Sequence, residues 1–541
     1  MTNFNIWLKN TVDNPEIYEE LLAVRDNEAE RQDRFYKELT FGTGGLRGVI
    51  GAGTNRMNVY TVGRATAGLA DYMLTSGAKK SIVIAYDSRN KSREFAFRSA
   101  EIMSSMGIHA YVFDKLTPTP VLSFAVRELG AGAGIVITAS HNPKEYNGYK
   151  VYNEHGCQIT DLAAKEILDK INKKGYFDKY EKNDALITVI KDEILEKYLN
   201  EIEKYSLFDR VSEYAPRVVY TPLYGTGNIP VRAILDRIGV KNVSVVKEQE
   251  LPNGDFTTCP YPNPEEKAAL ALALEEGRKT NAELILATDP DADRVGIAVR
   301  DSRGDFILLN GNETGLLLMN YMLERKSALG TLGHSPVVIK TIVTTDMAFS
   351  VAEKYGATVR EVLTGFKYIG EAMDTLDNFV MGMEESYGYL VGTFARDKDA
   401  VSAVMLITEM FAYYKSLGIS LYEQLEKLYC EHGHYLTDLL SKTYKGASGA
   451  ERMKQIIAEI RSNPNIKIDG EELVYTDFGN GIDGLPKSDV LRFKSENVRI
   501  LIRPSGTEPK IKIYYQIKAS SPDAARKKLT KVKEIVEKCL S

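Results

Sequence analysis

Four short stretches of this chain hold residue types that do chemistry, at spacings close enough to act together. In Thr138-Ala139-Ser140-His141-Asn142-Pro143, Ser140 is a candidate covalent nucleophile. A serine hydroxyl is weak alone and needs a base, a metal ion or an electropositive pocket. His141 and Lys150 are the candidates for proton transfer, and a lysine withdrawn from water titrates low enough to serve. For an isolated Ser-His pair, a serine that only caps a turn is the competing reading.

The second stretch, Asp289-Pro290-Asp291-Ala292-Asp293-Arg294, sets three carboxylates at alternate positions. Pro290 keeps them out of a helix interior, so they converge on one side of an extended loop. Hard oxygen donors in this number suit magnesium or calcium; an acidic surface turn is the competing reading, and repelling carboxylates beside a buried strand favour a cation over it. A calcium EF-hand is excluded, because Arg294 stands where that loop needs glycine and Arg300 where it needs glutamate.

In Met383-Glu384-Glu385-Ser386-Tyr387-Gly388, Glu384 and Ser386 alternate and so face one way, where they could bond vicinal sugar hydroxyls, although the loop taken alone reads first as structural. Arg503-Pro504-Ser505-Gly506-Thr507 presents a guanidinium, two hydroxyls and exposed amides to one tetrahedral anion. Phe41-Gly42-Thr43-Gly44-Gly45-Leu46-Arg47-Gly48 is a weaker anion signal, with Arg47 as its cation. Arg47 in place of the third glycine rules out a dinucleotide fingerprint.

These stretches need elements to position them. The β-branched run Gly134-Ile135-Val136-Ile137 reads as a buried strand that stops before Asn142-Pro143, leaving Ser140 in a strand-to-loop turn. Ser81 to Asp87 reads as another strand, with Asp87-Ser88-Arg89 capping the next helix. Strand and helix patterns alternate up to Ser140, which implies βαβ units around a mostly parallel sheet with ligands at the carboxyl ends of its strands. A polar stretch from about residue 183 to 211 precedes a second unit, where Pro264 suits the first turn of an Ala/Leu-rich helix. A third unit begins near residue 311 and includes the short loop Leu363-Thr364-Gly365-Phe366-Lys367; a last unit begins near residue 434. Residues 1 to about 38 read as helical, a lid or packing element.

A chain of 541 residues allows three to four domains, and 44% hydrophobic with 26% charged residues is ordinary globular composition. The net charge of −5 argues against nucleic-acid binding, so an anionic substrate must be drawn by local cations. Four scattered cysteines with no CxxC pair give neither a zinc site nor a disulfide framework and fit a reducing compartment. With no signal-peptide pattern and no apolar run near the roughly 18 residues a bilayer needs, the chain is expected to be cytoplasmic and away from membranes. No Gly-Lys dipeptide occurs, which removes a Walker loop.

In their order along the chain, the serine loop, DPDADR, EESYG and RPSGTEP resemble the motifs of the α-D-phosphohexomutases, the phosphoglucomutase and phosphomannomutase superfamily, from about Phe41 to the C-terminus. The resemblance implies an α/β chain of four domains: three doubly wound mixed-sheet α/β domains at 1–206, 207–310 and 311–433, and a C-terminal α+β domain at 434–541, around a central cleft. It implies that Ser140 carries the transferred phosphoryl group and that Arg47 assists transfer. Asp289, Asp291, Asp293 and the Ser140 phosphate would then ligate Mg2+. Glu384 and Ser386 would read the sugar, with Thr364, Gly365, Lys367 and Lys398 beside the substrate; Arg503, Ser505, Gly506 and Thr507 would hold its phosphate. Gly388 stands where some members carry a histidine two places after the serine, so no histidine acid is expected there. The FGTGGLRG and EESYG forms look most like the branch of phosphoglucomutases and phosphopentomutases. The expected reaction is interconversion of glucose 1-phosphate and glucose 6-phosphate through a phosphoserine, with glucose 1,6-bisphosphate as activator and intermediate and the C-terminal domain closing over the substrate. Pentose or mannose phosphates, or a sugar-phosphate-binding regulator without turnover, are the alternatives. The expected partners are small sugar phosphates, without nucleic acid or membrane, and the chain is expected to be a monomer or weak homodimer.

Overall fold

The computed structural model describes residues 2–42, 44–444, 446–468, 470–482, 484–504 and 510–540. Its first sheet contains β1 (Gly45–Val49), β2 (Ser81–Tyr86), β3 (His109–Phe113), β4 (Ala133–Ile137), β5 (Tyr146–Asn153) and β6 (Ile187–Ile190), in the order β1-β5-β4-β2-β3-β6. The strands β4, β2, β3 and β6 run parallel, and β5 and β1 close the edge antiparallel. Every residue of β4 is buried, as a continuous apolar run in a doubly covered sheet demands.

The second sheet holds β7 (Val218–Thr221), β8 (Val243–Val245), β9 (Leu284–Thr288), β10 (Val295–Arg300) and β11 (Phe306–Leu309), ordered β11-β10-β9-β7-β8. The third holds β12 (Val337–Thr341), β13 (Thr358–Val362), β14 (Phe379–Glu384) and β15 (Gly388–Val391), ordered β13-β12-β14-β15. All three repeat one device, a parallel core whose last strand turns back into an antiparallel one: β4 into β5, β9 into β10 and β14 into β15. Each turn leaves the carboxyl end of a parallel strand, where open α/β sheets bind ligands. Each also contains one non-glycine residue in the left-handed region, Ser140 (φ 52°), Ala292 (φ 51°) and Tyr387 (φ 65°).

The chain then makes β16 (His434–Thr443), a short ribbon of β17 (Lys467–Ile468) and β18 (Glu471–Glu472), and β19 (Val474–Asp477), β20 (Leu491–Lys494), β21 (Val498–Pro504) and β22 (Lys510–Ala519). The antiparallel order is β16-β22-β21-β20-β19. Helices Gly446–Ser462 and Pro522–Cys539 contribute to the apolar core on one face of this sheet. One apolar cluster runs through the first three units, from Val136 by way of Tyr220 to Met381. The fourth unit has its own core and meets the third where Val490, Leu501 and Tyr514 pack on Ile342, Val343 and Leu363.

One local expectation is narrowed and two change. The N-terminal helices, Asn3–Asn10, Pro15–Ala23 and Glu28–Phe35, bury Trp7 among Phe35, Tyr60, Tyr176 and Phe177, so they are a packing element of the first unit and not a lid. Pro264 starts no helix: the Ala/Leu-rich helix begins at Ala271, and a Cβ on Gly296 of β10 would lie 2.6 Å from the Pro264 carbonyl. Asp87 does not cap the helix Ser92–Ser105, whose N-cap is Lys91; its carboxylate has another task, described below. All four cysteines are free, and no helix among the described residues is long and apolar enough to cross a membrane.

Candidate active site

The three strand-end turns and the fourth sheet meet at one cleft of about 920 Å³, lined by Arg47, Ser140, Asp293, Glu384, Ser386 and Arg503 among others. Ser140 is 3% exposed, and its left-handed backbone is held from below. The Ser140 amide donates to Thr138 Oγ1 at 2.8 Å, and that hydroxyl donates to Asp87 Oδ2 at 2.6 Å. Asp87 pairs with Arg89 at 3.3 Å, both side chains having no exposure. The Arg89 guanidinium donates to the carbonyl oxygens of Ser140, Asn142, Pro143 and Tyr146, and Phe256 of the second unit stacks 5.0 Å from it. The serine loop is thus tied down by its carbonyls, which leaves the Ser140 hydroxyl facing the second unit.

That hydroxyl donates to Asp289 Oδ2 at 2.6 Å and lies 3.1 Å from His141 Nδ1. Loss of solvent, then the cations Arg294, Arg47 and Arg89, hold His141 well below its ordinary range, so it is a neutral imidazole. Arg47, on β1, reaches Asn142 Oδ1 at 3.2 Å across the mouth of the same loop.

Asp289, Asp291 and Asp293 each place a carboxylate oxygen within 4.8 Å of the others, and all three are buried. The loop is a compact turn through Ala292, not the extended segment expected. Burial first, then the two neighbouring carboxylates, raises Asp289 well above the usual range. Burial would also raise Asp293, but Lys398, Lys150 and Arg294 outweigh it and hold this carboxyl low. Among the described residues, Asp291 Oδ1 and Asp293 Oδ1 are buried without a hydrogen-bond partner. Orphaned carboxylate oxygens are costly, and a divalent cation would satisfy both, so this donor set fits a metal. Thr119 Oγ1, 2.8 Å from Asp291 Oδ2, helps to orient it.

Lys150, on β5, lies 2.8 Å from Asp291 and 3.5 Å from Asp293. Desolvation works to lower its pKa, but the two carboxylates prevail and raise it. The expectation of a low-titrating lysine is therefore corrected: Lys150 is a stabilised ammonium. Lys398 also turns to the acidic cluster, 3.2 Å from Asp293. Its stem fills the space beside Gly388, where an added Cβ would meet Lys398 Cδ at 2.0 Å. Lys398 thereby occupies the place a side chain at position 388 would claim.

Glu384 ends β14 and accepts from the Gly365 amide at 2.9 Å. Burial, opposed by Lys398 and aided by Glu385, pushes its carboxyl up to about 7. Thr364 Oγ1 is buried with no partner among the described residues, and Gly365 (φ 121°) opens the helix Phe366–Met373. Lys367 Nζ lies 2.7 Å from Asp161, an ion pair that ties the third unit to the first. Arg503, near the end of β21, lines the cleft, whereas Ser505, Gly506 and Thr507 lie outside the described residues.

Sequence reasoning missed the Asp87–Arg89 scaffold, because Asp-Ser-Arg before a helix reads as a cap. It also missed Arg294 and Glu265, which form an ion pair facing the cleft. The signal for Arg294 was available, since it directly follows the last aspartate of the triad.

The fold and the cleft together define a multidomain α/β enzyme with an acidic turn that could hold a metal ion and a buried serine at the ends of parallel strands. The chain belongs to the phosphoglucomutase/phosphomannomutase family: its α/β/α domain I model matches residues 38–177, domain II residues 196–304, domain III residues 310–431, and the C-terminal domain residues 447–530. A phosphoglucomutase of Staphylococcus saprophyticus is 36% identical over 96% of this chain and 97% of its own length. A phosphoglucomutase of Staphylococcus aureus is 35% identical, with 97% of each chain covered. The fold is shared by a crystal structure of a putative phosphomannomutase from Thermus thermophilus, with TM-score 0.73 and 24% identity over 93% of this chain and 99% of that one.

Proposed function

We propose that this chain interconverts glucose 1-phosphate and glucose 6-phosphate through a phosphorylated Ser140. One observation carries the reading: the Ser140 hydroxyl, 2.6 Å from the acidic triad, opens into the cleft that Glu384, Ser386 and Arg503 also line. A phosphorylated serine at one wall and an anion site at another are what a sugar bisphosphate needs to bind in either orientation.

In the first half-reaction the bond from phosphorus to Ser140 Oγ breaks as one forms to the free hydroxyl of the sugar phosphate, giving glucose 1,6-bisphosphate. The hydroxyl proton leaves and Ser140 Oγ regains one. The bisphosphate turns over in the cleft and returns its other phosphoryl group to Ser140. Asp289, Asp291 and Asp293 would hold Mg2+, which supplies neutralisation of the charge spread over the transferring phosphoryl group. Lys150 and His141 are the proton carriers in this reading: Lys150 is kept protonated by its carboxylates, while neutral His141 lies 3.1 Å from Ser140 Oγ. Arg47 offers its guanidinium to the phosphoryl oxygens from the mouth of the serine loop. Glu384 and Ser386 read sugar hydroxyls, and Arg503, with Ser505, Gly506 and Thr507, grips the phosphate that is not reacting.

The test is conversion of glucose 1-phosphate with Mg2+ and a trace of glucose 1,6-bisphosphate, by the intact protein and by Ser140→Ala. Turnover that requires the bisphosphate and drops at least about a thousandfold in the variant is expected. Undiminished turnover by Ser140→Ala removes the phosphoserine from the scheme. Mannose and pentose phosphates assayed alongside rank the sugar.

A further inference from the structure

The sheet face that carries Arg503 to the cleft is pinned to the third unit at its other end. Arg499 and Arg503 lie on one face of β21, and a strand rise of about 3.3 Å per residue puts them about 13 Å apart. Lys494, Arg499 and Gln516 are cross-strand partners on β20, β21 and β22, and all three meet Asp346 at the start of the helix Met347–Lys354. Arg499 Nη1 binds the Asp346 carboxylate, Lys494 Nζ is 3.1 Å from it, and the Asp346 amide donates to Gln516 Oε1 at 2.7 Å. The Arg499 side chain is 3% exposed, and fully buried Lys340 completes the cluster, 3.2 Å from Asp346 and 2.5 Å from Glu361. A buried ionic cluster is weak evidence for stability, because desolvation consumes much of its Coulomb attraction. What it supplies here is a defined seat.

From that seat hydrogen bonds run without a break to the sugar loop. Arg499 Nη2 donates to the Thr344 carbonyl at 2.5 Å. The Thr344 and Thr341 hydroxyls reach Glu385 Oε2 at 3.1 and 3.2 Å, and the Glu385 amide contacts Thr344 Oγ1 at 3.2 Å. Glu385 stands between Glu384 and Ser386. A parallel path links Thr437 of β16 to Asn312 Nδ2 at 3.1 Å, and Asn312 Oδ1 to the Thr345 amide at 2.9 Å.

We propose that Arg499 is a positioning residue that transmits the seating of the fourth unit, through the Thr341–Thr344 turn and Glu385, to the backbone presenting Glu384 and Ser386. An anion gripped at Arg503 settles the fourth sheet on its seat, and the seat sets the sugar loop, so phosphate and sugar are recognised together. The choice of a sugar as the ligand of that loop rests on the mutase reading above; the mechanical link does not.

Arg499→Lys keeps the charge but loses the forked contact, and Thr344→Val keeps the shape and the carbonyl but loses the hydroxyl. Each is expected to raise KM for glucose 1-phosphate about fivefold, and the double variant to be no worse than the worse single one, as for two links of one path. Independently of any substrate, Arg499→Lys is expected to speed amide hydrogen exchange across residues 381–391, which begin 37 residues beyond Thr344 in the sequence and form β14, its turn and β15. Additive KM effects with unchanged exchange at 381–391 overturn the proposal. If either variant fails to fold, Thr341→Val probes the same path from its far side. If the intact protein turns over no sugar phosphate, the mutase reading falls and the exchange arm decides alone: faster exchange upholds the link, and unchanged exchange rejects it.

Discussion

Arg89 donates to carbonyl oxygens of Ser140, Asn142, Pro143 and Tyr146, so replacing it moves the serine before it disturbs anything a substrate touches. Ser140 sits in a left-handed conformation that costs a non-glycine residue about 1–2 kcal/mol, and those bonds over-determine it. Misplacing a reacting group by about 1 Å costs about a hundredfold in rate. Arg89→Lys is therefore expected to lower kcat about a hundredfold while KM stays within about threefold; steady-state kinetics that show the reverse split refute the scaffold role. Glu384 makes a prediction in pH. Its carboxyl titrates near 7 when folded, against an ordinary 4.5, so between these values the folded state holds more protons than the unfolded one. The stability this group contributes is complete below 4.5 and is lost as pH rises through about 7. The urea midpoint of the intact protein should decline from about pH 5 to about pH 7.5 more steeply than that of Glu384→Gln, whose amide does not titrate.

The strand-end turn is the element that the first three units share, and it explains why the chemistry is spread so evenly through the chain. A parallel strand delivers the chain to the cleft, a left-handed residue reverses it, and an antiparallel strand takes it away. In the third unit the returning strand starts at Gly388, against which the Lys398 stem packs. Gly388→Ala should push Lys398 off Asp293 and reduce turnover about tenfold or more with little loss of thermal stability; equal turnover means that Lys398 is not needed at the acidic turn. The N-terminal helices work as a clamp. Glu20 accepts from the Ala52 amide at 2.8 Å and Arg34 donates to the Ala52 carbonyl at 3.1 Å, which holds the segment following β1 and hence Arg47. Trp7, 1% exposed, is the core of that clamp, and Trp7→Ala should cost about 3–5 kcal/mol by urea denaturation.

At the scale of the whole molecule, the acidic turn is also a joint. Ser140, Thr119 and Lys150 of the first unit all contact carboxylates of the second. A metal held there stabilises the folded chain by mass action, about 2.7 kcal/mol at a hundredfold excess over Kd. Mg2+ should therefore raise the thermal midpoint of the intact protein and leave Asp289→Asn and Asp293→Asn nearly unmoved; an equal rise in all three places the ion elsewhere.

The serine turn and the Glu384–Ser386 pair were readable because each depends on neighbours within a few residues, a β-branched run or an alternation of side chains; the triad's donor set was readable too, but it converges through a compact turn at Ala292 rather than along an extended loop. Such short-range patterns determine where a strand stops and which way the next side chains face. The order of the four motifs likewise carried the family and the succession of units. What surrounds those groups was decided by partners far away in the chain. Lys150 is a stable ammonium because Asp291, 141 residues on, lies 2.8 Å away. Lys367 turns to Asp161, and Arg89 leaves its helix start to hold the serine loop. Pro264 has the local chemistry of a helix start, yet the close approach of Gly296 and the pull of Arg294 on Glu265 keep that segment in a turn. Local propensity is worth a few tenths of a kcal/mol to about 1 kcal/mol per residue, whereas a buried charge must find its counterpart or cost several, so packing overruled propensity at these places.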